Sequence, residues 1–271
     1  MDIVAVVPAG GMGTRIAPSP VSKEIFPLGF SVLDAQSAPR PKVALEHLFE
    51  KMTRAGIRKV YLVIGKGKWD IPAYTGDGSA FGLEIAYLVL RVPWGVPFTV
   101  DQAYPFVSNS LVAMGFADIL FSPDDAFVQL MALCEETAAD VVLGVVPAPR
   151  GRRVERLALG PAGRVQEFDI KSDQSRLEHS WTCSIWRPRF SDFLHTHLKG
   201  RLEAGASQLF AEERELCLGD VFQAASEGGL EICGKVLSSE PYLDIGTPED
   251  LRTAIRLCTD SQTRPGNLTT Q

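Results

Sequence analysis

Apolar runs and apolar periodicities divide the chain into recognisable elements. Residues 3–7, Ile-Val-Ala-Val-Val, form an unbroken, largely β-branched run, the pattern of a strand buried on both faces. Residues 42–55 then place Val43, Leu45, Leu48, Phe49 and Met52 at helical spacing ahead of Gly56, a fitting C-terminal stop. Residues 59–64 form the next apolar strand. Strand, helix and strand in that order imply a parallel sheet with right-handed crossovers, with ligands expected at the carboxyl ends of the strands. Downstream, residues 76–90 read as a loop and a strand, 108–117 as helical, 124–137 as a helix and 140–146 as a buried strand. Residues 180–186 read as a strand, and 189–198 and 216–225 as helices, the second closed by Gly228-Gly229. Residues 31–41, polar and ending in Pro39-Arg-Pro41, read as an irregular connection.

Composition narrows the class. The 271 residues are 45% hydrophobic and 22% charged, the proportions of a globular protein with a sizeable core. A net charge of −6 argues against a nucleic-acid partner, so any phosphate chemistry must rely on locally concentrated cations. The five cysteines (Cys134, Cys183, Cys217, Cys233, Cys258) are scattered, with no C-x-x-C pair. Neither a zinc site nor a disulfide framework is indicated, and reduced thiols in a cytoplasmic protein are expected. The first apolar run is too short for a membrane span and lacks the basic flank of a signal peptide, so no membrane association is expected.

The first strand runs into Pro8-Ala9-Gly10-Gly11-Met12-Gly13-Thr14-Arg15. Glycines let the backbone take positive φ and let a ligand approach the amides, and successive N–H groups in such a turn form an anion-binding nest. Arg15 adds a permanently charged planar fork, and Lys23 a mobile point charge. The combination suits a polyphosphate. It is not the Walker loop, and Ile16 stands where the dinucleotide fingerprint needs its third glycine.

These residues, continued by Pro18, Lys23, Pro27 and the segment Leu243-Asp244-Ile-Gly-Thr-Pro-Glu-Asp-Leu251, resemble the motifs of the sugar-1-phosphate nucleotidyltransferases, of the glucose-1-phosphate thymidylyl- and uridylyltransferase type. Gly76-Asp-Gly-Ser-Ala-Phe-Gly82 and Val165 to Lys171 extend the likeness. The resemblance implies an α/β fold: a Rossmann-like mixed, mostly parallel sheet flanked by helices, with a small inserted sheet region. It implies one domain over residues 1–258, with 1–146 serving the nucleotide, 147–258 the sugar phosphate, and a polar, disordered tail over 259–271. It further implies that a nucleotidyl group passes from an NTP, dTTP or UTP, to a sugar 1-phosphate. Ala9, Gly10, Gly11, Gly13 and Thr14 would bind the nucleotide, Arg15 and Lys23 would be catalytic, Lys171 would hold the sugar phosphate, and Asp118 and Asp244 would hold Mg²⁺. Homo-oligomers are common in the family.

Several positions depart from the family pattern. Ala117 and Ile119 flank Asp118 where a glycine and an asparagine are usual, and Ile170 replaces a glutamate before Lys171. No glutamine precedes Pro93 in the segment that reads the base in many members. These changes keep two alternatives open: the same chemistry with CTP or GTP and an unusual phosphorylated acceptor, or a non-catalytic relative that binds sugar nucleotides. Other clusters have plainer readings. Asp124-Asp125 reads as the N-terminal cap of a helix. His195 and His197 fall on different faces of one helix. The basic run Arg150-Gly-Arg-Arg153 reads as a solvated loop able to approach phosphates.

Overall fold

A computed structural model describes residues 1–31, 38–172, 174–203 and 214–263, with side chains described up to residue 259. In chain order the elements are β1 (Ile3–Ala9), β2 (Pro27–Ser31), β3 (Arg40–Val43), α1 (Ala44–Arg54), β4 (Lys59–Ile64), α2 (Asp70–Thr75), β5 (Glu84–Val89), α3 (Val96–Asp101), α4 (Tyr104–Val107) and β6 (Leu111–Gly115). They continue with β7 (Ile119–Leu120), α5 (Ala126–Glu136), β8 (Val141–Pro147), β9 (Glu155–Leu159), β10 (Val165–Ile170), β11 (His179–Trp186), α6 (Pro188–Glu203), α7 (Leu218–Glu227), β12 (Ile232–Val236), β13 (Leu243–Asp244) and α8 (Pro248–Thr263).

The main sheet runs β5-β4-β1-β6-β11-β8-β12, with the β9–β10 hairpin joined to the start of β11. β1 lies between β4 and β6 and parallel to both, which buries Val4 to Val7 and Ala9. β11 alone in this series runs antiparallel, to β6 and to β8. The result is a mixed, mostly parallel sheet, as expected.

Alternation along β1 divides the core. Ala5 and Val7 face a layer containing Leu45, Leu48, Phe49 and Met52 of α1 and Phe127 and Leu130 of α5. Val4 and Val6 face the opposite layer, with Phe98 of α3, Phe190 and Leu194 of α6 and Val221 and Phe222 of α7. Burial of each large side chain of this kind contributes roughly 1.5–3 kcal/mol, so helices cover both faces of the sheet. A third, smaller cluster joins Leu28 and Ala44 to Ile245 and Ala254, seating α8 against the β2–β3 hairpin.

Four local readings are corrected. Residues 111–115 form β6, not a helix, because they are flanked by β1 and β11 and buried on both faces, which removes any alternation from the sequence. Arg40–Val43 is a strand paired with Pro27–Ser31, so the stretch read as an irregular connection contributes to a hairpin; residues 32–37 lie outside the described residues. Asp124 binds Lys51 Nζ at 2.6 Å, and Asp125 accepts from the Gln129 side chain at 3.0 Å, so neither carboxylate caps a helix amide. The final helix continues past Cys258 to Thr263, into the stretch read as a tail; residues 264–271 lie outside the described residues.

Candidate active site

β1 delivers its loop at the carboxyl edge of the sheet. Ala9 is buried, so only its backbone can face a ligand. Gly13 has φ 62°, a left-handed conformation that a side chain would strain. It starts the single 3₁₀ turn Thr14–Ile16, with the Ile16 amide donating to the Gly13 carbonyl at 3.2 Å. That turn carries the Arg15 guanidinium to 3.6 Å from the Asp244 carboxylate.

Lys23 starts a second 3₁₀ turn, Lys23–Ile25, and that turn is anchored on both sides. The Ser22 amide and hydroxyl donate to the two Asp70 carboxylate oxygens at 2.6 and 2.8 Å. Glu24 is buried and paired with Lys68 at 2.7 Å. So held, the Lys23 ammonium forms a close ion pair with Asp118. Burial alone would lower the Lys23 pKa, but Asp118, Glu24 and Asp244 together hold it above the usual lysine value.

Asp118 and Asp244 are distant in sequence and adjacent in space. β7 pairs antiparallel with β13, setting Asp244 opposite Ile119, and the Ile245 amide donates to the Asp118 carbonyl at 3.1 Å. The Gly246 amide donates to Asp244 Oδ1 at 2.8 Å. A Cβ at Gly246 would press on the Arg15 guanidinium and the Asp244 carboxylate and displace both from their present positions. The Asp244 pKa is raised, first by burial and then by the Asp118 charge, against the opposing pull of Lys23 and Arg15. Two hard-oxygen carboxylates and two cations therefore meet in one place.

That donor set has a defined capacity for metal. Among the described residues no group of three or more His, Cys, Asp or Glu side chains is placed to hold an ion. A pair of carboxylates completed by phosphate oxygens and water is what Mg²⁺ takes, because it dehydrates reluctantly and keeps part of its water shell. Asp118 and Asp244 fit that ion and would bind it together with a phosphorylated ligand.

Two cavities open beside the glycine loop and Lys23. One of about 760 Å³ is lined by Gly10 to Gly13, Ser22, Lys23 and the Gly65 to Lys68 turn. A smaller one of about 190 Å³ lies between Gly11, Lys23, Thr99, Asp118 and Glu215. Lys171 occupies a different corner. It follows β10 with φ 57°, its amide donates to the Val154 carbonyl at 3.2 Å, and its side chain lies beside Cys217 and Glu155.

The structure also shows residues that sequence reasoning missed. Glu215 lines the smaller cavity, Asp70 anchors the Lys23 turn, and Glu155 is half-buried opposite Ile170 in the β9–β10 register. Glu155 Oε2 accepts from Trp181 Nε1 at 3.0 Å and from the Gly219 amide at 2.9 Å. Nothing in the local sequence around these three acids marks them, since each is an ordinary acid in a polar setting.

No protein-family model matches the chain. Mannose-1-phosphate guanylyltransferase of Mycobacterium tuberculosis is 28% identical over 257 residues, covering 92% of this chain and 62% of the relative. The low-salt glycan biosynthesis nucleotidyltransferase Agl11 of Haloferax volcanii is 30% identical over 259 residues, covering 93% of this chain and 65% of the relative. UDP-glucose pyrophosphorylase, solved with UDP-glucose, shares the fold with a TM-score of 0.72 at 14% identity, covering 95% of this chain and 98% of that one. In sequence and in fold the chain resembles the sugar-1-phosphate nucleotidyltransferases.

It spans just under two thirds of the length of the first two relatives. Within this chain, the positions that depart from the family motif have structural roles of their own. Ala117 is buried in the core, and Ile119 supplies the strand position that pairs with Asp244. With Ile170 in place of the usual glutamate, the carboxylate in that corner comes from Glu155 on the neighbouring strand.

Proposed function

We propose that this protein moves a nucleotidyl group from an NTP, dTTP or UTP, to a sugar 1-phosphate, giving an NDP-sugar and pyrophosphate. The observation that carries this reading is the convergence of the Gly10 to Arg15 loop, Lys23, Asp118 and Asp244 on one cleft at the carboxyl end of the sheet. A binding module has no need of two apposed carboxylates, each matched to a cation. An in-line transfer between phosphates needs both signs of charge, because its barrier is lowered mainly by positioning and charge neutralisation.

In the proposed reaction a phosphate oxygen of the sugar 1-phosphate attacks the α-phosphorus. The bond from the α-phosphorus to the bridging oxygen breaks, and its electron pair leaves with pyrophosphate. The amides of Gly10, Gly11 and Gly13, with the backbone of Ala9 and with Thr14, hold the triphosphate at the end of β1. Arg15, more than half exposed at the mouth of the cleft, meets the charge that develops on the leaving group. Lys23, on its anchored turn, neutralises phosphate oxygens from beneath. Lys171, beside Glu155, holds the phosphate of the sugar. Asp118 and Asp244 would hold Mg²⁺, which supplies Lewis-acid charge stabilisation to the phosphoryl oxygens when bound. Among the described residues the buried cysteines Cys134, Cys183, Cys217 and Cys233 form no disulfide, in keeping with a reducing cytoplasm as the place of action.

The role of Arg15 is tested by Arg15→Ala. Among the described residues its ion pair is with Asp244 and the side chain is more than half exposed, so the fold should persist while turnover falls by about a hundredfold or more. Circular dichroism checks the fold and pyrophosphate release the turnover. Near-wild-type turnover would remove Arg15 from the mechanism.

A further inference from the structure

On the far side of Arg15 and Asp244 lies a separate cavity of about 310 Å³, lined by Arg15, Arg150, Arg152, Arg153, Asp244 and Asp250 among others. Three of its four arginines come from the connection between β8 and β9, the basic run that the proposed reaction leaves unused. Four guanidinium groups face two carboxylates there, a surplus of two positive charges in a chain whose net charge is −6. Gathering like charges on one concave surface is unfavourable unless an anion offsets it.

The connection is braced. Arg156, on β9, donates to the carbonyls of Pro149 at 3.2 Å, Arg152 at 3.5 Å and Leu177 at 2.8 Å. Arg152 is fixed at 2.5 Å from Asp250, in the first turn of α8. Arg153 Nε donates to the Lys171 carbonyl at 3.2 Å, tying this wall to the corner assigned to the sugar phosphate. Arg150 has no hydrogen bond or ion pair among the described residues and is exposed. A braced wall with one uncommitted guanidinium is organised before a ligand arrives, which reduces the ordering cost of binding. The planar fork of arginine matches two phosphate oxygens at once.

We infer that this cavity is a phosphate site distinct from the glycine loop and from Lys171, with Arg150 as its principal ligand. Its occupant is a phosphate group next to the reacting centre, either on departing pyrophosphate or on the acceptor sugar as a second ester. The identity of that occupant rests on the nucleotidyl-transfer reading. The anion site itself does not.

Calorimetric titration of the full chain without metal tests the inference apart from the Asp118–Asp244 pair. The ligands are inorganic pyrophosphate, a hexose 1-phosphate and the corresponding hexose 1,6-bisphosphate. The proteins are wild type, Arg150→Ala and Arg150→Glu, with thermal melts to show that each is folded. Losing one charged contact should weaken the bound ligand about tenfold in Arg150→Ala, and charge reversal should weaken it further. A loss seen with pyrophosphate supports the site and assigns it to the leaving group. A loss seen with the bisphosphate, but not with the monophosphate or pyrophosphate, supports the site and assigns it to an acceptor phosphate. Affinities within twofold of wild type for both ligands in both variants would overturn the inference. Pyrophosphate release assayed in parallel separates the two readings: loss of anion binding in a chain without transfer activity would leave the site standing and remove the reaction.

Discussion

His47 lies on α1, half-buried, with Nε2 buried and unpartnered among the described residues. Burial, then the nearby Lys42 and Lys51 charges, lower its pKa to about 4, against the opposing pull of Glu46 and Asp124. The unfolded chain therefore binds more protons than the folded one between the ordinary value of 6.5 and about 4. Stability falls as pH drops through that window and levels off below it. From pH 7 to pH 5 this one group should cost about 2 kcal/mol. Urea unfolding at both pH values checks it: His47→Gln should lose less stability over the interval than wild type by about that amount, and equal losses would contradict the assignment. Individual residues were legible in the sequence only where a rare combination marked them. Gly10 to Arg15 and the Asp244 segment are such combinations. His47, Glu155 and Asp70 have properties set by what packs beside them, and no local pattern carries that information.

At the scale of elements, the active-site geometry depends on one short pairing. β7 and β13 are each two residues long, too short to be found from apolar periodicity, yet their pairing is what sets Asp118 beside Asp244. α8 secures it from the other side. Thr247 Oγ1 accepts from the Asp250 amide at 3.2 Å and donates to Asp250 Oδ2 at 2.6 Å, capping the helix that follows β13. Pro248 at the first helical position and Glu249 in the first turn favour the same start. Thr247→Ala should cost about 1 kcal/mol and lower Tm by about 2–4 °C, measured by calorimetry; an unchanged Tm would show that the cap is idle. This cap is local chemistry, a threonine ahead of a proline and two acids. The strand β6 was misread as helical because a fully buried strand has no polar face to reveal its period.

Across the whole molecule, the sheet order explains why the site lies where it does. β1 is central, and its loop opens at the carboxyl edge next to β6, whose continuation carries Asp118. The chain then leaves through the β9–β10 hairpin, which presents Lys171 and the arginine wall, and returns through β13 to close the cleft with Asp244. The first half of this architecture follows from strand-helix-strand patterning. The antiparallel insertion of β11 between β6 and β8 does not, because a buried strand reads the same in either direction.

The central claim is that this cleft catalyses nucleotidyl transfer, and pyrophosphate release tests it most directly. The purified chain would be incubated with magnesium, each of the four ribonucleoside triphosphates or dTTP, and a panel of sugar 1-phosphates. The account predicts release with UTP or dTTP and one sugar 1-phosphate, lost in Arg15→Ala. No release with any pair, while nucleotide binding is retained, would contradict it.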